Sequence, residues 1–264
     1  MQVFHPTSLD EATAAVSDGA TPLAGGTDLM VEVNFGHRRP ENVVGLRRVG
    51  ELQEWEQNRI GAGVTWRRIE RTGPNALAQA ARTVGSPQIR NAATIGGNLA
   101  TASPAGDGHP FLAAVDASIE LVSQERTRLI PWDEFFTGVK QTSLREDELI
   151  SAVVLPTHLP ERHEFAKVGV RNAMVISTVC AVVTRSGDGT TTIGLGSVAP
   201  TPIRARRAEE MISAAGTPSE VDLAEFQRLV AEEVSPITDH RSTERYRRHA
   251  AGVLARRLLE RCLR

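Results

Sequence analysis

Two stretches of the chain combine residue types that can hold an anion without using a charged side chain. Thr94-Ile95-Gly96-Gly97-Asn98 and Pro22-Leu23-Ala24-Gly25-Gly26-Thr27-Asp28-Leu29 each run from apolar residues through adjacent glycines to a small polar residue. Adjacent glycines let a backbone turn sharply and leave N–H groups with no Cβ in front of them. Such a nest of donors can cradle a diphosphate oxygen. Thr94, Asn98, Thr101 and Ser103 add short hydrogen-bonding side chains around the first of these stretches. Neither stretch matches G-x-G-x-x-G or the G-x-x-x-x-G-K-[ST] phosphate loop. Singly, each reads as an ordinary tight turn; together they read as a two-sided clamp on one diphosphate. Asp107, after Ser103-Pro104, fits two roles: the N-cap of a helix opening at His109-Pro110, or a carboxylate accepting from sugar-like hydroxyls. Asp28 carries the same ambiguity.

Other chemistry is scarce. The histidines at 5, 37, 109, 158, 163, 240 and 249 show no H-x-x-x-H or H-E-x-x-H spacing, so no metal site is expected. There is no G-x-S-x-G elbow and no nucleophile with an evident base, so no catalytic residue is assigned. Cys180 and Cys262 are the only cysteines, too few for an iron–sulfur cluster with four thiolates, and they read as buried or incidental thiols. Arg204, Arg206 and Arg207 read as a solvated helix start. Arg241, Arg245, Arg247 and Arg248 read as the charged side of a helix, with a partner-docking face as the sharper alternative. Lys167 falls in an expected strand, where a lysine ordinarily faces solvent.

The elements that must position these residues follow from periodicity and punctuation. Ser8-Leu9-Asp10-Glu11 has the form of a capping box opening a helix with Leu9, Ala12 and Val16 on one face. Thr21 to Ala24 predicts a buried strand feeding the Gly25-Gly26 turn, Asp28 to Val33 a helix with Leu29, Met30 and Val33 inward, and Asn42 to Leu46 a second strand. This alternation suits a small α/β unit. Arg59 to Val64 predicts a strand whose glycines mark close backbone approach. Pro74 to Val84 predicts a helix stopped by Gly85, and Ser86 to Asn91 an irregular lead into the Thr94 to Asn98 turn. Strands are expected at Ala117 to Ser123, Thr127 to Ile130 and Glu148 to Leu155, and Pro156 to Pro160 is the best linker. The remainder predicts three strands, Glu164 to Val170, Thr178 to Arg185 and Thr190 to Val198, then helices. The last helix, from about Ser242 to Cys262, places Tyr246, Ala250, Val253, Leu254 and Leu258 on one face. The fold class expected is α+β. One domain is expected over 1–157, with subdomains of about 1–53 and 54–157, and a second over 161–264.

At 264 residues and a formal net charge of −2, the chain can bury a sizeable core and has no general attraction for nucleic acid or anionic membrane. No apolar run approaches the ~20 residues of a membrane span, and Met1 to Pro6 has no basic, apolar signal pattern, so a cytoplasmic location is expected. Aromatics make up 4% of residues, against a base-stacking surface.

The motifs in combination carry a resemblance. Ala24-Gly25-Gly26-Thr27-Asp28-Leu29, then Gln88-Ile89-Arg90-Asn91 leading to Thr94-Ile95-Gly96-Gly97-Asn98, then Ser103-Pro104-x-x-Asp107, resemble the FAD-binding medium subunits of the molybdenum hydroxylases, the xanthine dehydrogenase and carbon monoxide dehydrogenase type. Similar order continues through Trp132 to Gly138, Glu148 to Pro156, Phe165-Ala166-Lys167 with Arg171, Asp239-His240-Arg241-Ser242 and Tyr246-Arg247, nearly the whole chain. The resemblance implies a two-subdomain FAD-binding fold of the vanillyl-alcohol oxidase type plus a C-terminal three-stranded sheet with helices. It implies that Pro22 to Leu29 and Thr94 to Asn98 hold the FAD diphosphate, that Thr101 and Asp107 contact the ribityl or nearby groups, and that Ile150 and Lys167 lie near the isoalloxazine or adenine ends. Val84 stands where some relatives carry an aromatic against the ring. It further implies a molybdopterin-binding large subunit and an iron–sulfur small subunit as partners, with electrons leaving FAD for NAD, oxygen or a quinone. A non-catalytic assembly module and a stand-alone flavin oxidoreductase are the other function classes the sequence allows.

Overall fold

A computed structural model describes residues 2–172 and 174–264. The first fifty residues form β1 (Gln2–Phe4), α1 (Leu9–Ser17), β2 (Thr21–Leu23), α2 (Leu29–Asn34) and β3 (Asn42–Gly45). The three strands make a parallel sheet in the order β1-β3-β2. Ser8 caps α1 by accepting from the Glu11 N–H, but the Glu11 side chain accepts from the Thr7 N–H rather than that of Ser8, so only half of the expected capping box forms; Ala12 and Val16 are buried, as the apolar spacing requires. The α2 helix departs from expectation. Leu29 and Val33 are half-buried and Met30 is exposed, and no α2 residue is buried.

The middle of the chain comprises β4 (Trp55–Glu56), β5 (Arg59–Gly61), α3 (Trp66–Thr72), α4 (Asn75–Thr83), α5 (Pro87–Ala92), α6 (Ile95–Thr101), α7 (His109–Ala114), β6 (Ser118–Val122), β7 (Thr127–Pro131), α8 (Trp132–Phe135), β8 (Phe136–Gly138), β9 (Gln141–Thr142) and β10 (Leu149–Val154). Its main sheet is antiparallel throughout, in the order β4-β5-β10-β6-β7. The glycines read as close-approach positions are that: a Cβ on Gly61 would lie 2.4 Å from the Leu52 carbonyl oxygen, and one on Gly63 2.2 Å from the Gln53 amide nitrogen.

The last hundred residues form β11 (Arg162–Val168), β12 (Val179–Arg185), β13 (Thr191–Gly196), β14 (Ile203–Arg204), α9 (Arg206–Ala214), α10 (Glu220–Glu233) and α11 (Glu244–Cys262). The sheet has four strands, β11-β12-β13-β14, where three were expected. A two-residue strand beside Pro200 and Pro202 leaves no periodic trace in sequence. Every residue of β12 is buried, because its alternating faces serve two cores. Cys180 and Val182 join the core beneath the first two sheets, while Val179, Ala181 and Val183 face α9, α10 and α11. The buried stripe of α11 is shifted from the expected one. Ala250 and Leu258 are buried as expected, but Arg247, Ala251, Ala255 and Cys262 are buried with them, Val253 and Leu254 are half-buried and Tyr246 is exposed. Small residues win that face because α10 crosses so closely that a Cβ on Gly252 would lie 2.5 Å from the Gln227 carbonyl oxygen.

Two further corrections concern the segment before Leu99. Residues 87–92 are the helix α5 rather than an irregular lead, capped by Ser86, whose side chain accepts from the Ile89 N–H, with Pro87 in the first turn. Ser-Pro is a helix-start signal. Gly96 and Gly97 are not a turn. They lie in the first turn of α6, capped by Thr94, whose side chain accepts from the Gly97 N–H. Gly96 is required by packing, since a Cβ there would lie 2.5 Å from the Ala62 Cβ and 2.8 Å from its carbonyl oxygen.

Candidate functional site

A cleft of about 1540 Å³ runs between the β2–α2 loop, the α4–α5 and α5–α6 junctions, the loop after α6, β10 and the C-terminal sheet. The two glycine stretches meet in it. A Cβ on Gly25 would lie 2.0 Å from the Ala92 carbonyl oxygen, so only glycine lets the first loop press against the residues entering α6. Thr101 Oγ1 lies 3.2 Å from Asp28 Oδ2, tying the end of α6 to the start of α2. Pro22, Leu23, Ala24, Gly25, Gly26, Thr27, Asp28 and Leu29 all line the cleft. So do Val84, Thr94, Gly96, Gly97, Asn98, Thr101, Asp107, Ile150 and Lys167. Ile95 does not; it is 1% exposed and belongs to the core.

The donor pattern differs between the two sides. The N–H groups of Ile95, Gly96, Gly97 and Asn98 are spent within the chain, on Val64 O (3.0 Å), Ala62 O (2.9 Å), Thr94 Oγ1 (3.0 Å) and Thr94 O (3.1 Å). The expectation of a bare backbone nest there is therefore corrected: helix capping and strand-like bridging consume those donors. Among the described residues, the N–H groups of Gly25, Gly26, Thr27 and Asp28 have no acceptor in the chain. Gly26 has φ +71°, a left-handed conformation that favours glycine. The first loop thus offers backbone donors, and the α6 side offers the side chains of Thr94, Asn98 and Thr101.

Lys167 faces inward, not to solvent. Its Nζ lies 2.5 Å from Asp107 Oδ2 and 3.3 Å from Thr83 O, and both side chains of the pair are under a tenth exposed. Thr83 Oγ1 donates to the same carboxylate oxygen at 3.0 Å. Burial pushes the Asp107 carboxyl up, while Lys167 and Thr83 pull it down. Asp107 Oδ1 is buried with no partner among the described residues, an acceptor beside the cleft. The N-cap alternative for Asp107 falls away, since α7 begins after Gly108 with no side-chain cap.

The walls are set by buried polar buttresses. Arg90, 9% exposed, donates to Val84 O, Gly85 O and Glu70 Oε2, fixing the α4–α5 junction. At the opposite wall, Arg128 grips Glu148 through both carboxylate oxygens at 2.6 and 2.7 Å. Burial would raise the Glu148 carboxyl, but Arg128 and the Arg145 N–H outweigh it and hold it low. His109 sits beneath the loop after α6, 1% exposed, and burial lowers its pKa to about 4.

Sequence reasoning missed several residues at the cleft. Leu46, Leu52, Ala62, Met174, Ile176, His240 and Arg241 line it, and Thr83 holds the buried pair beside it. Thr83 carries no motif, and Met174 and Arg241 reach the cleft only through the folding of the C-terminal sheet onto α4. Among the described residues, no group of three His, Cys, Asp or Glu could hold a metal ion, and no helix is long and apolar enough to cross a membrane.

The chain matches the family model of the FAD binding domain in molybdopterin dehydrogenase over residues 1–158. It matches that of the CO dehydrogenase flavoprotein C-terminal domain over residues 164–262. It is 34% identical over 235 residues to the nicotinate dehydrogenase FAD-subunit of Eubacterium barkeri, covering 80% of this chain and 79% of that one. It is 30% identical over 279 residues to the carbon monoxide dehydrogenase medium chain of Afipia carboxidovorans, covering 98% and 95%. Its structure superposes on that of quinoline 2-oxidoreductase from Pseudomonas putida 86 with a TM-score of 0.91, at 26% identity, covering 100% of this chain and 96% of that one.

Proposed function

We propose, from the premise that the chain belongs to the family of FAD-binding subunits of the molybdopterin dehydrogenases, that its cleft is the seat of FAD in an electron-transfer subunit. The single observation that carries this reading is the meeting of the two glycine stretches, Gly25 against Ala92 and Asp28 against Thr101, on one cleft. The donor set fits the cofactor. The free N–H groups of Gly25 to Asp28 suit a diphosphate, aided by Thr94, Asn98 and Thr101. The unpartnered Asp107 Oδ1 suits a ribityl or ribose hydroxyl. Ile150 precedes Ser151, whose carbonyl accepts from the Ala62 N–H, and with Leu46, Leu52 and Ala62 it supplies apolar lining that suits an adenine.

The Lys167 end suits the isoalloxazine ring. Bound FAD supplies electron and hydride transfer at that ring, and two-electron reduction adds negative charge there. Among the cations lining the cleft, Arg38, Arg47, Lys140 and Arg171 are exposed and Arg241 is half-buried in its pair with Asp239, while the Lys167 side chain is under a tenth exposed in its pair with Asp107. A fixed ammonium away from water stabilises developing charge more than a solvated one does. Val84, held by Arg90, supplies an aliphatic surface at that end.

The partners proposed are a molybdopterin-binding large subunit and an iron–sulfur small subunit, in the cytoplasm, with an external acceptor such as NAD, oxygen or a quinone. Isolation of the native complex tests this. Co-purification of those two subunits, with loss of flavin absorbance on anaerobic addition of the complex's substrate, is the expected result. A chain that purifies alone and turns over a substrate unaided would contradict it.

A further inference from the structure

The C-terminal side of the cleft is built from two loops that are distant in sequence. One is 169–178, between β11 and β12, which contributes Arg171, Met174 and Ile176; the other is 235–243, before α11, which contributes His240 and Arg241. Among the described residues, neither contributes a strand or helix of its own. Both are gripped by Arg247, on the first turns of α11 and 4% exposed. Its guanidinium donates to Thr178 O at 2.7 Å, to Ser197 O at 3.0 Å and to Asp239 Oδ1 at 2.8 Å. Asp239 in turn accepts from the N–H groups of Arg241 and Ser242 at 2.9 and 3.1 Å. Thr178 closes the other loop by donating to Val168 O at 2.8 Å, directly after Lys167. One buried cation therefore links the base of both loops.

We propose that Arg247 is a positioning residue that interlocks these loops into a single wall, and so sets solvent access to the Lys167 end of the cleft. The inference rests on the FAD reading above for what that end holds. A planar fork with several donors can serve two carbonyls and a carboxylate at once; a lysine cannot reproduce that geometry, and a glutamine lacks the charge. Without the fork, Asp239 keeps only its local bonds and Thr178 O is left buried without its donor, so the loops open independently of each other.

The full chain is prepared with FAD as wild type, Arg247→Gln, Arg247→Lys and Asp239→Asn, the last cutting only the 235–243 arm. Flavin content is read from absorbance, access from iodide quenching of flavin fluorescence, and loop opening from amide hydrogen exchange. Expected for Arg247→Gln is at least tenfold faster exchange in 169–178 and 235–243 together, unchanged exchange in β12 and β13, and several-fold stronger quenching. Arg247→Lys restores part of it, and Asp239→Asn loosens 235–243 first. Loosening of one loop alone in Arg247→Gln, or unchanged quenching of bound flavin with both loops loosened, would overturn the proposal. Should Arg247→Gln not fold, Asp239→Asn decides by the same readouts. Absence of flavin from the wild type would sink the FAD reading instead, leaving the exchange data to judge the interlock.

Discussion

At the scale of single residues, the site is defined more by what glycine permits than by what reactive groups do. Gly25→Ala would drive a methyl group into the Ala92 carbonyl, 2.0 Å from the ideal Cβ, and this forces the first loop away from α6. A loss of flavin affinity of at least a hundredfold is expected, measured by fluorescence titration, with the far C-terminal sheet unaffected. Lys167→Met leaves Asp107 buried without its cation, and breaking a buried pair from one side costs about 3–5 kcal/mol. The midpoint in a urea titration should fall accordingly, and Asp107→Asn in the same background should recover part of the loss. His109 gives the pH dependence. Its pKa in the folded chain is about 4, against 6.5 for an unhindered histidine. Between those values the unfolded chain binds the extra proton, so this contribution to stability is full above pH 6.5 and is lost as pH falls toward 4, amounting to about 3 kcal/mol. His109→Leu should flatten that acid limb in thermal melts, whatever it does to stability at neutral pH.

At the scale of elements, the decisive difference lies between a turn and a helix at Gly96-Gly97. Residue types alone could not separate them, because adjacent glycines are poor helix formers and the cap that overrides them, Thr94, is also a common turn residue. The structure makes the two glycines unequal. A Cβ on Gly96 meets Ala62, whereas one on Gly97 meets only Thr94 Oγ1 at 3.1 Å. Gly96→Ala should therefore lower stability by more than about 2 kcal/mol through overpacking. Gly97→Ala should stay within about 1 kcal/mol, its crowding offset by better helix propensity; equal penalties in denaturant titrations would contradict the helical account. Legibility followed length and amphipathicity. The capped α1, the strands β6 and β7 and the long β12 were readable because period and punctuation agree over several residues. The two-residue β14, and the face of α11 chosen by the close crossing at Gly252, depend on neighbours that sequence does not display. In the site, the candidate residues other than Ile95 reach the cleft, although the backbone donors expected at Thr94 to Asn98 are spent within the chain; Thr83, Met174 and Arg241 were not legible, since tertiary folding alone brings them there.

At the scale of the molecule, the three main sheets have separate tasks. The small parallel sheet presents a loop of free backbone donors. The antiparallel sheet and its helices present hydroxyl and amide side chains and the apolar end. The C-terminal sheet delivers Lys167 and one wall. Family membership is consistent with a sequence in which no acid, base or nucleophile is evident, because bound FAD carries redox chemistry of its own. The most direct test of this account is a titration of the purified, folded chain with FAD, following absorbance and fluorescence to saturation. The account predicts one FAD per chain at micromolar protein, with binding abolished by Gly25→Ala. A folded chain that takes up no flavin, or one that binds equally well with alanine at that position, would contradict it.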